Sequence, residues 1–407
     1  MALTQVDVAI IGGGMVGASL AVALAGSGVS TMLVEGVPHA AHAPGSKAQP
    51  SFDDRTTALG NASRRIFQAL GVWERLAPEA AAIRAIHVSD AGRFGFARLS
   101  AEEQGIEAFG YVVPNRAIGA ALWNKLQDAT DILLRVPARP DQVQITDTGI
   151  KFALGTESVS ARLAVAADGA HSVLRAAAGI EADVEDYDQV AIVANVAADR
   201  PHDGTAYERF TQSGPLAVLP LHDGSYGVIW SCNPARATEV LAFDDATYLR
   251  ELQERFGWRA GRFVRAGVRA SYPLKLTRAA TTVAARTVLI GNAAQALHPV
   301  AGQGFNLGLR DAAMLAEVVA SARGDVGSPE LLRRFAGWRE GDRSGVVRFT
   351  DGLVKMFADT RPAVGALRNL GLLLFDLSPP AKSALARVSA GFAGPTPRLA
   401  RGLGLRE

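Results

Sequence analysis

Three clusters of residues in this chain have the types and spacing to hold a large phosphorylated cofactor. The first is Gly12-Gly13-Gly14-Met15-Val16-Gly17, which fits Gly-x-Gly-x-x-Gly. In such a turn Gly12 permits the tight bend, Gly14 lets a pyrophosphate approach bare backbone, and Gly17 lets helix and strand pack closely. The phosphates would sit at a helix N-terminus, where free N–H groups and the helix dipole favour negative charge. Glu35 closes the next apolar run. A carboxylate there can accept hydrogen bonds from both ribose hydroxyls and would repel a 2′-phosphate, so the site suits FAD or NAD and not NADP. The second cluster is Asp168-Gly169-Ala170-His171-Ser172-Val173-Leu174-Arg175. Asp168 and Arg175 could bracket a polar ligand, or could form an ordinary salt bridge on a loop. The third runs from Ile290 to Asp311 and is the most specific. Asn292 can reach a sugar or ribitol hydroxyl, Pro299 stiffens the loop, and Gly302 and Gly304 bring backbone close to a ligand. A helix from Phe305 then aims its N-terminus at whatever the loop holds. Reduced flavin carries negative charge near N1, and a helix N-terminus is a good partner for it.

The pattern around these clusters says which elements must position them. Val6 to Ile11 is a short apolar run, as in a buried parallel strand. Met15 to Ala25 reads as a buried helix stopped by Gly26 and Gly28, and Ser30 to Val34 as a second strand, which completes a βαβ unit. Val37 to Phe52 reads as a surface loop, and Asn61 to Leu70 and Asn115 to Asp128 as helices. Tyr111 to Val113 and Leu163 to Ala167 are apolar strands. From Val190 to Ala280 short β-prone runs alternate with Gly, Asp and Pro turns, which predicts an antiparallel sheet. Thr287 to Ile290 returns to a buried strand. Leu309, Ala312, Ala313, Ala316 and Val319 share one face of a helix from about Phe305 to Ala322. From Trp338 to Glu407 the pattern is mostly amphipathic helix. The fold expected is α/β. A discontinuous Rossmann-like domain takes residues 1–75, 105–182 and 281–340. An inserted antiparallel-sheet substrate domain takes 76–104 and 183–280, and a helical C-terminal region takes 341–407.

Composition removes several classes of function. The net charge is only +2 with signs interspersed, so no basic field suggests nucleic acid. The single cysteine, Cys232, cannot form an internal disulfide framework or a multi-cysteine metal site, and fits a reducing, cytoplasmic setting. Val8 to Val29 is uncharged and as long as a membrane helix, but its glycines disfavour one. Met1 to Asp7 lacks the basic residues of a secretory signal. His39 and His42 lack a third ligand nearby, and His87, His171, His222 and His298 show no ligand spacing, so no metal site is expected. There is no Gly-x-Ser-x-Gly nucleophile motif.

The order and spacing of the three clusters resemble those of the single-component flavin aromatic hydroxylases. The third closely resembles the signature of the ubiquinone-biosynthesis hydroxylases. Phe52-Asp53-Asp54-Arg55-Thr56-Thr57-Ala58-Leu59 and Gly110-Tyr111-Val112-Val113-Pro114-Asn115-Arg116 extend the likeness over most of residues 5–320. Where many of the wider class carry Asp and His, this chain has Asn292 and Gln295. That pair is similar to the branch acting on 2-polyprenyl-6-methoxyphenol.

The resemblance implies that Gly12, Gly14, Gly17 and Glu35 hold the ADP half of FAD. It implies that Arg116 contacts the flavin chain, that Asp168 lies near the pyrophosphate and that Arg175 helps admit a nicotinamide donor. Asn292 would bind ribitol or phosphate, Gly302, Gly304, Phe305 and Asn306 the isoalloxazine edge, and Arg55 and Pro299 would lie near the ring. FAD would carry the chemistry, with NAD(P)H as a transient donor. O₂ would form a flavin hydroperoxide that passes one oxygen to a polyprenylated phenol. Contact with a membrane surface at the inner membrane or with other ubiquinone-pathway enzymes is implied by so insoluble a substrate, and Leu367 to Leu377 could supply it. Three other readings stand beside this one: a hydroxylase of a small soluble phenolic acid, which needs a polar carboxylate-binding pocket; a flavin halogenase, disfavoured because the sequence has no Trp-x-Trp-x-Ile-Pro stretch; and a non-catalytic flavin-binding scaffold subunit.

Overall fold

The computed structural model describes residues 3–38, 55–358, 361–392 and 394–405. The stretch Phe52-Asp53-Asp54, most of the loop expected at 37–52, and His39 and His42 lie outside the described residues.

Strand β1 (Leu3–Ile11) leads through the glycine turn into helix α1 (Met15–Leu24) and then strand β2 (Thr31–Val34). All of β2, and Val8 to Ile11 of β1, are buried, which is why both read as unbroken apolar runs. Helix α1 is buried from Gly17 to Leu24. It lies against the helices Asn115–Asp128 and Gln303–Ala320, so it shows no polar face. β1 pairs in parallel with β2 and with Glu157–Ala166, which in turn pairs in parallel with Thr287–Leu289. Strand Ile132–Arg135 extends the sheet beyond β2. Early, middle and late parts of the chain therefore meet in one sheet, and the three cofactor clusters all follow strands of it.

The chain between these parts builds a second sheet of nine strands. Its order runs through Gln295–Ala296, Ala270–Ala279, Ala182–Ala198, Tyr226–Cys232, Gly214–Pro220, Thr205–Thr211, Ala85–Asp90 and Phe96–Ser100, with Phe263–Ala266 also paired to Ala182–Ala198. Every pairing is antiparallel except that of Thr205–Thr211 with Ala85–Asp90. A small third sheet joins β3 (Thr56–Gly60) to Gly110–Pro114 and Ala81–Ile83. β3 leads directly into helix α2 (Asn61–Ala69).

Two helices, Pro234–Ala242 and Asp245–Phe256, stand where only sheet was expected. Each starts on a side-chain cap. Asn233 accepts from the Arg236 N–H at 2.8 Å and Asp244 from the Thr247 N–H at 2.7 Å. Tyr248, Leu252 and Phe256 then pack with Tyr226 and Trp230 against one face of the sheet. The tail forms three helices, Pro329–Ala358, Pro362–Asp376 and Pro379–Ser389. A proline opens each, where its missing N–H costs nothing.

Candidate active site

At the tip of β1, Gly12 has φ +106°, a conformation only glycine adopts freely. A Cβ on Gly17 would sit on the Gly12 carbonyl oxygen. The turn and the helix are thus pressed together by backbone alone. Gly14 is the N-cap of α1 and offers no side chain to close its N–H groups, which leaves them for a ligand. Glu35, at the end of β2, is buried. One carboxylate oxygen accepts from the Gly13 N–H at 2.6 Å and the other from the Val37 N–H at 2.8 Å. Each oxygen keeps a further lone pair for a ribose hydroxyl.

These residues form one end of a cavity of about 840 Å³. Asp168 lines it further along. One of its oxygens accepts from the Val173 N–H at 2.8 Å, while the other is buried without a partner among the described residues. An orphaned buried oxygen on a cavity wall is the mark of a site that expects a hydroxyl from its ligand. Asn292 lines the same cavity and is exposed to it. Arg175 does not line it. Its guanidinium donates to the carbonyls of Ala170 at 2.8 Å and Ala293 at 3.0 Å, so it ties the second cluster to the third. It does not pair with Asp168.

The third cluster divides into lining and framework. Pro299, Gly302, Gly304 and Phe305 line the cavity. Asn306 is buried and spends all four of its amide hydrogen bonds elsewhere. It accepts from the Gly60 N–H and the Ser63 hydroxyl and donates to the carbonyls of Ala58 and Gly302, all at 2.7–2.8 Å. It clamps the loop to β3 and leaves no side-chain bond for a cofactor. Gln295 points away from the cavity and donates to Asp311 at 2.9 Å. Asp311 also receives Arg339 at 2.7 Å, and Arg339 and Arg310 both reach Asp342. This buried ionic network anchors the loop from beneath.

Beyond the loop the cavity reaches the second sheet. Its wall there is Ala206, Glu208, Ala217, Leu219 and Ile229, with His298 beside Pro299. Burial holds His298 well below the usual imidazole range, at about 4. Its Nδ1 accepts from the Val300 N–H at 3.2 Å, so Nε2 carries the proton and faces the Gln189 amide oxygen at 3.2 Å. Burial among apolar groups pushes the Glu208 carboxyl up to about 7. Neither residue stood out from spacing. The signal available for Glu208 was an acid in phase with Ala206 and Phe210 on one side of a strand.

A second cavity, of about 710 Å³, shares Thr56, Thr57, Asn292 and Pro299 with the first. Arg55 lines it, with its guanidinium 4.3 Å from the Tyr272 ring centroid. Arg116 lines neither cavity and pairs with Glu79 at 2.7 Å.

A glycine turn at a helix N-terminus, a buried ribose-type carboxylate and an orphaned oxygen share one long cavity that ends on an antiparallel sheet. Together they suit FAD, and with this fold they define an FAD-dependent monooxygenase. The family described as FAD binding domain matches residues 5–350. Ubiquinone hydroxylase UbiL of Rhodospirillum rubrum is 37% identical, over 98% of this chain and 93% of its own. The 3-demethoxyubiquinol 3-hydroxylase of Escherichia coli is 32% identical, over 90% and 94%. The p-nitrophenol 4-monooxygenase PnpA of Pseudomonas putida shares the fold, with a TM-score of 0.78 at 18% identity over 97% of this chain and 99% of that one. The chain belongs to the ubiquinone-biosynthesis hydroxylase family.

Proposed function

We propose that this enzyme hydroxylates the aromatic ring of a polyprenylated phenol in ubiquinone biosynthesis, with NAD(P)H as electron donor. The observation that carries the reading is the wall at the sheet end of the cavity. Ala206, Ala217, Leu219 and Ile229 are apolar, and the charged group among them is an acid, Glu208. A small phenolic acid would need a cation there. Among the described lining residues the one arginine, Arg139, sits beside Gly36 at the opposite end. An apolar phenol fits this wall and a carboxylate does not. The relatives from Rhodospirillum rubrum and Escherichia coli, a ubiquinone hydroxylase and a 3-demethoxyubiquinol 3-hydroxylase, agree with such a substrate.

Bound FAD, once reduced, supplies the activation of O₂. The chain supplies position and exclusion. Gly12, Gly14, Gly17 and Glu35 would hold the ADP half, and Asp168 and Asn292 the linking chain. The N-terminus of the helix Gln303–Ala320, with Gly302, Gly304 and Phe305, would face the isoalloxazine. Asn306 keeps that loop on β3. The apolar sheet wall would seat the ring and keep water from the reacting atoms. The first substrate to test is a 2-polyprenyl-6-methoxyphenol, suggested by the Asn292 and Gln295 pair. Because Gln295 is turned into the framework, the shape of the sheet wall rather than Gln295 would select the ring position. The test is incubation of the FAD-loaded protein with NADPH or NADH, O₂ and a short-chain 2-prenyl-6-methoxyphenol, followed by mass spectrometry. A product heavier by one oxygen atom supports the reading. Oxidation of the donor that yields only peroxide with every phenol sinks it.

The same substrate class asks for contact with a membrane surface. Among the described residues no helix is long and apolar enough to cross a membrane. Leu367, Leu370, Leu374 and Leu377 are exposed along one side of the helix Pro362–Asp376 and its C-cap. We propose that this row rests on the bilayer where the substrate resides. Replacing Leu367 and Leu374 by Glu should abolish co-sedimentation with anionic vesicles. Unchanged co-sedimentation would exclude this surface.

A further inference from the structure

One acidic side chain in the cavity has no role in binding FAD. Glu208 lies on the strand Thr205–Thr211, in phase with Ala206 and Phe210. Tyr207 and Arg209 take the other face, where Tyr207 meets Phe256 and Arg209 donates to the Arg255 carbonyl. The register sets Glu208 opposite Ala217 on one neighbouring strand and Val88 on the other. Its carboxyl looks into the cavity and has no hydrogen-bond or ion-pair partner among the described residues. Burial is the sole cause of its raised proton affinity. The other titratable groups on this cavity are Tyr207, His298, Asp168, His171, Glu35 and Arg139, and burial pushes the Tyr207 phenol up, so it stays neutral. Tyr187 packs on His298 and bonds Asp351 of the helix Pro329–Ala358, and Asp90 of the adjoining strand is paired with Arg368. None of them compensates the Glu208 charge.

We propose that Glu208 is a catalytic base of the hydroxylation, taking the phenolic proton as the ring is attacked. The inference rests on the functional reading above. In this step the phenol O–H bond breaks and its electron pair moves into the ring. The attacked ring carbon bonds to one oxygen atom of O₂, delivered at the reduced flavin, as the O–O bond breaks, and the phenolic proton passes to a Glu208 oxygen. The ring hydrogen then leaves as a proton to the departing second oxygen atom, which restores aromaticity, and Glu208 returns its proton to the phenolic oxygen. The donor's two electrons leave with the second oxygen atom as water. An ordinary carboxylate, near 4, is a feeble base for a phenol near 10. At about 7 Glu208 lies closer to the phenol and is still about half ionised at neutral pH. Its charge also turns away substrates that carry a carboxylate.

The test uses the full-length FAD-loaded protein with 2-prenyl-6-methoxyphenol as probe. In the wild type kcat should rise with pH through about 7. Glu208→Gln should lose about 10²- to 10⁴-fold in kcat, with little change in KM, and should lose that pH dependence, while Glu208→Asp recovers part of the rate. FAD affinity, read from flavin fluorescence quenching, should be unchanged in both variants. Infrared difference spectra without donor or substrate should show a carboxylic-acid C=O band that titrates near pH 7 in the wild type and is missing from Glu208→Gln. Should Glu208→Gln fail to fold, the wild-type pH profile and infrared titration decide by themselves. Turnover by Glu208→Gln within roughly threefold of wild type, weakened FAD binding in it, or no band titrating near 7 would each overturn the inference alone. A wild type that hydroxylates no phenol would overturn the functional reading and the inference together.

Discussion

Replacing Glu35 by Gln removes one oxygen and adds a donor where both carboxylate oxygens already serve backbone N–H groups. The amide can keep only one of them. It will keep the bond to Gly13, which is buried, and turn its NH₂ toward Val37, which is part-exposed. Water can reach the Val37 N–H, so the loss in stability should be modest, about 1 kcal/mol. The cofactor suffers more. A carboxylate can accept from both ribose hydroxyls, whereas the amide can accept from only one. A hydrogen bond to a charged acceptor is worth about 1.5–3 kcal/mol, which is roughly 10- to 100-fold in the FAD dissociation constant. The assay is titration of the flavin-free protein with FAD, followed by fluorescence quenching, beside urea unfolding of the same preparations. Loss of affinity by that factor with the unfolding midpoint nearly unmoved supports the ribose role. An FAD affinity within about threefold of wild type would refute it and make Glu35 a brace for the glycine turn only.

Gly17→Ala sets a methyl group on the Gly12 carbonyl, with the short Ala167 side chain on its other side; it should cost about 1–3 kcal/mol and weaken FAD binding at least tenfold, read by the same titration. Arg339→Met leaves Asp311 and Asp342 facing each other's field without their shared cation. Urea unfolding should report a loss of about 3–5 kcal/mol. His298 has a folded pKa of about 4 against an unfolded value of 6.5. Its contribution is complete above 6.5 and is lost as pH falls from 6.5 toward 4, because the unfolded chain takes up the proton first. It amounts to at most about 3 kcal/mol. His298→Gln should therefore lose less stability than wild type between pH 7.5 and 4.5, and equal acid limbs would show that His298 is not held neutral.

How far the sequence could be read depended on whether neighbouring residues in the chain also act together in space. The glycine turn, Glu35 and the helix Asn115–Asp128 were legible because a turn, a strand end and a helix are local. The helices Pro234–Ala242 and Asp245–Phe256 were missed although Asn233-Pro234 and Asp244 are sound N-cap signals. The surrounding β-prone runs outweighed them. The ligand roles of Arg116 and Arg175 come from the family resemblance. The structure pairs the first with Glu79 and gives the second to two carbonyls. An arginine one turn from a cofactor loop has several acceptors within reach, and sequence order does not rank them. His298, weighed only as a metal ligand, and Glu208 were hard to place for the opposite reason. Their meaning depends on which strand lies across the cavity, and nothing within ten residues of either specifies that.

The third cluster also shows why a strong signature need not be a list of contacts. Of its polar residues, Asn292 and His298 line the cavity, while Asn306, Gln295, Arg310 and Asp311 face inward and hold the loop to β3 and to the helix Pro329–Ala358. A loop that must present bare backbone to a flat ring cannot be held by side chains on its ligand side. The holding groups have to lie behind it, and buried polar groups are tolerable only when fully satisfied. Asn306 meets that condition, with two bonds given and two received. Gln295 does not, since its amide oxygen is buried and has no partner among the described residues. An acceptor left open at that point would suit a tightly held water or a second position of the loop. The strictness of the motif is therefore set by the shape of the loop. On the proposed reading the choice of substrate falls to the sheet wall opposite, where Ala206, Ala217 and Leu219 can vary without disturbing the cofactor site.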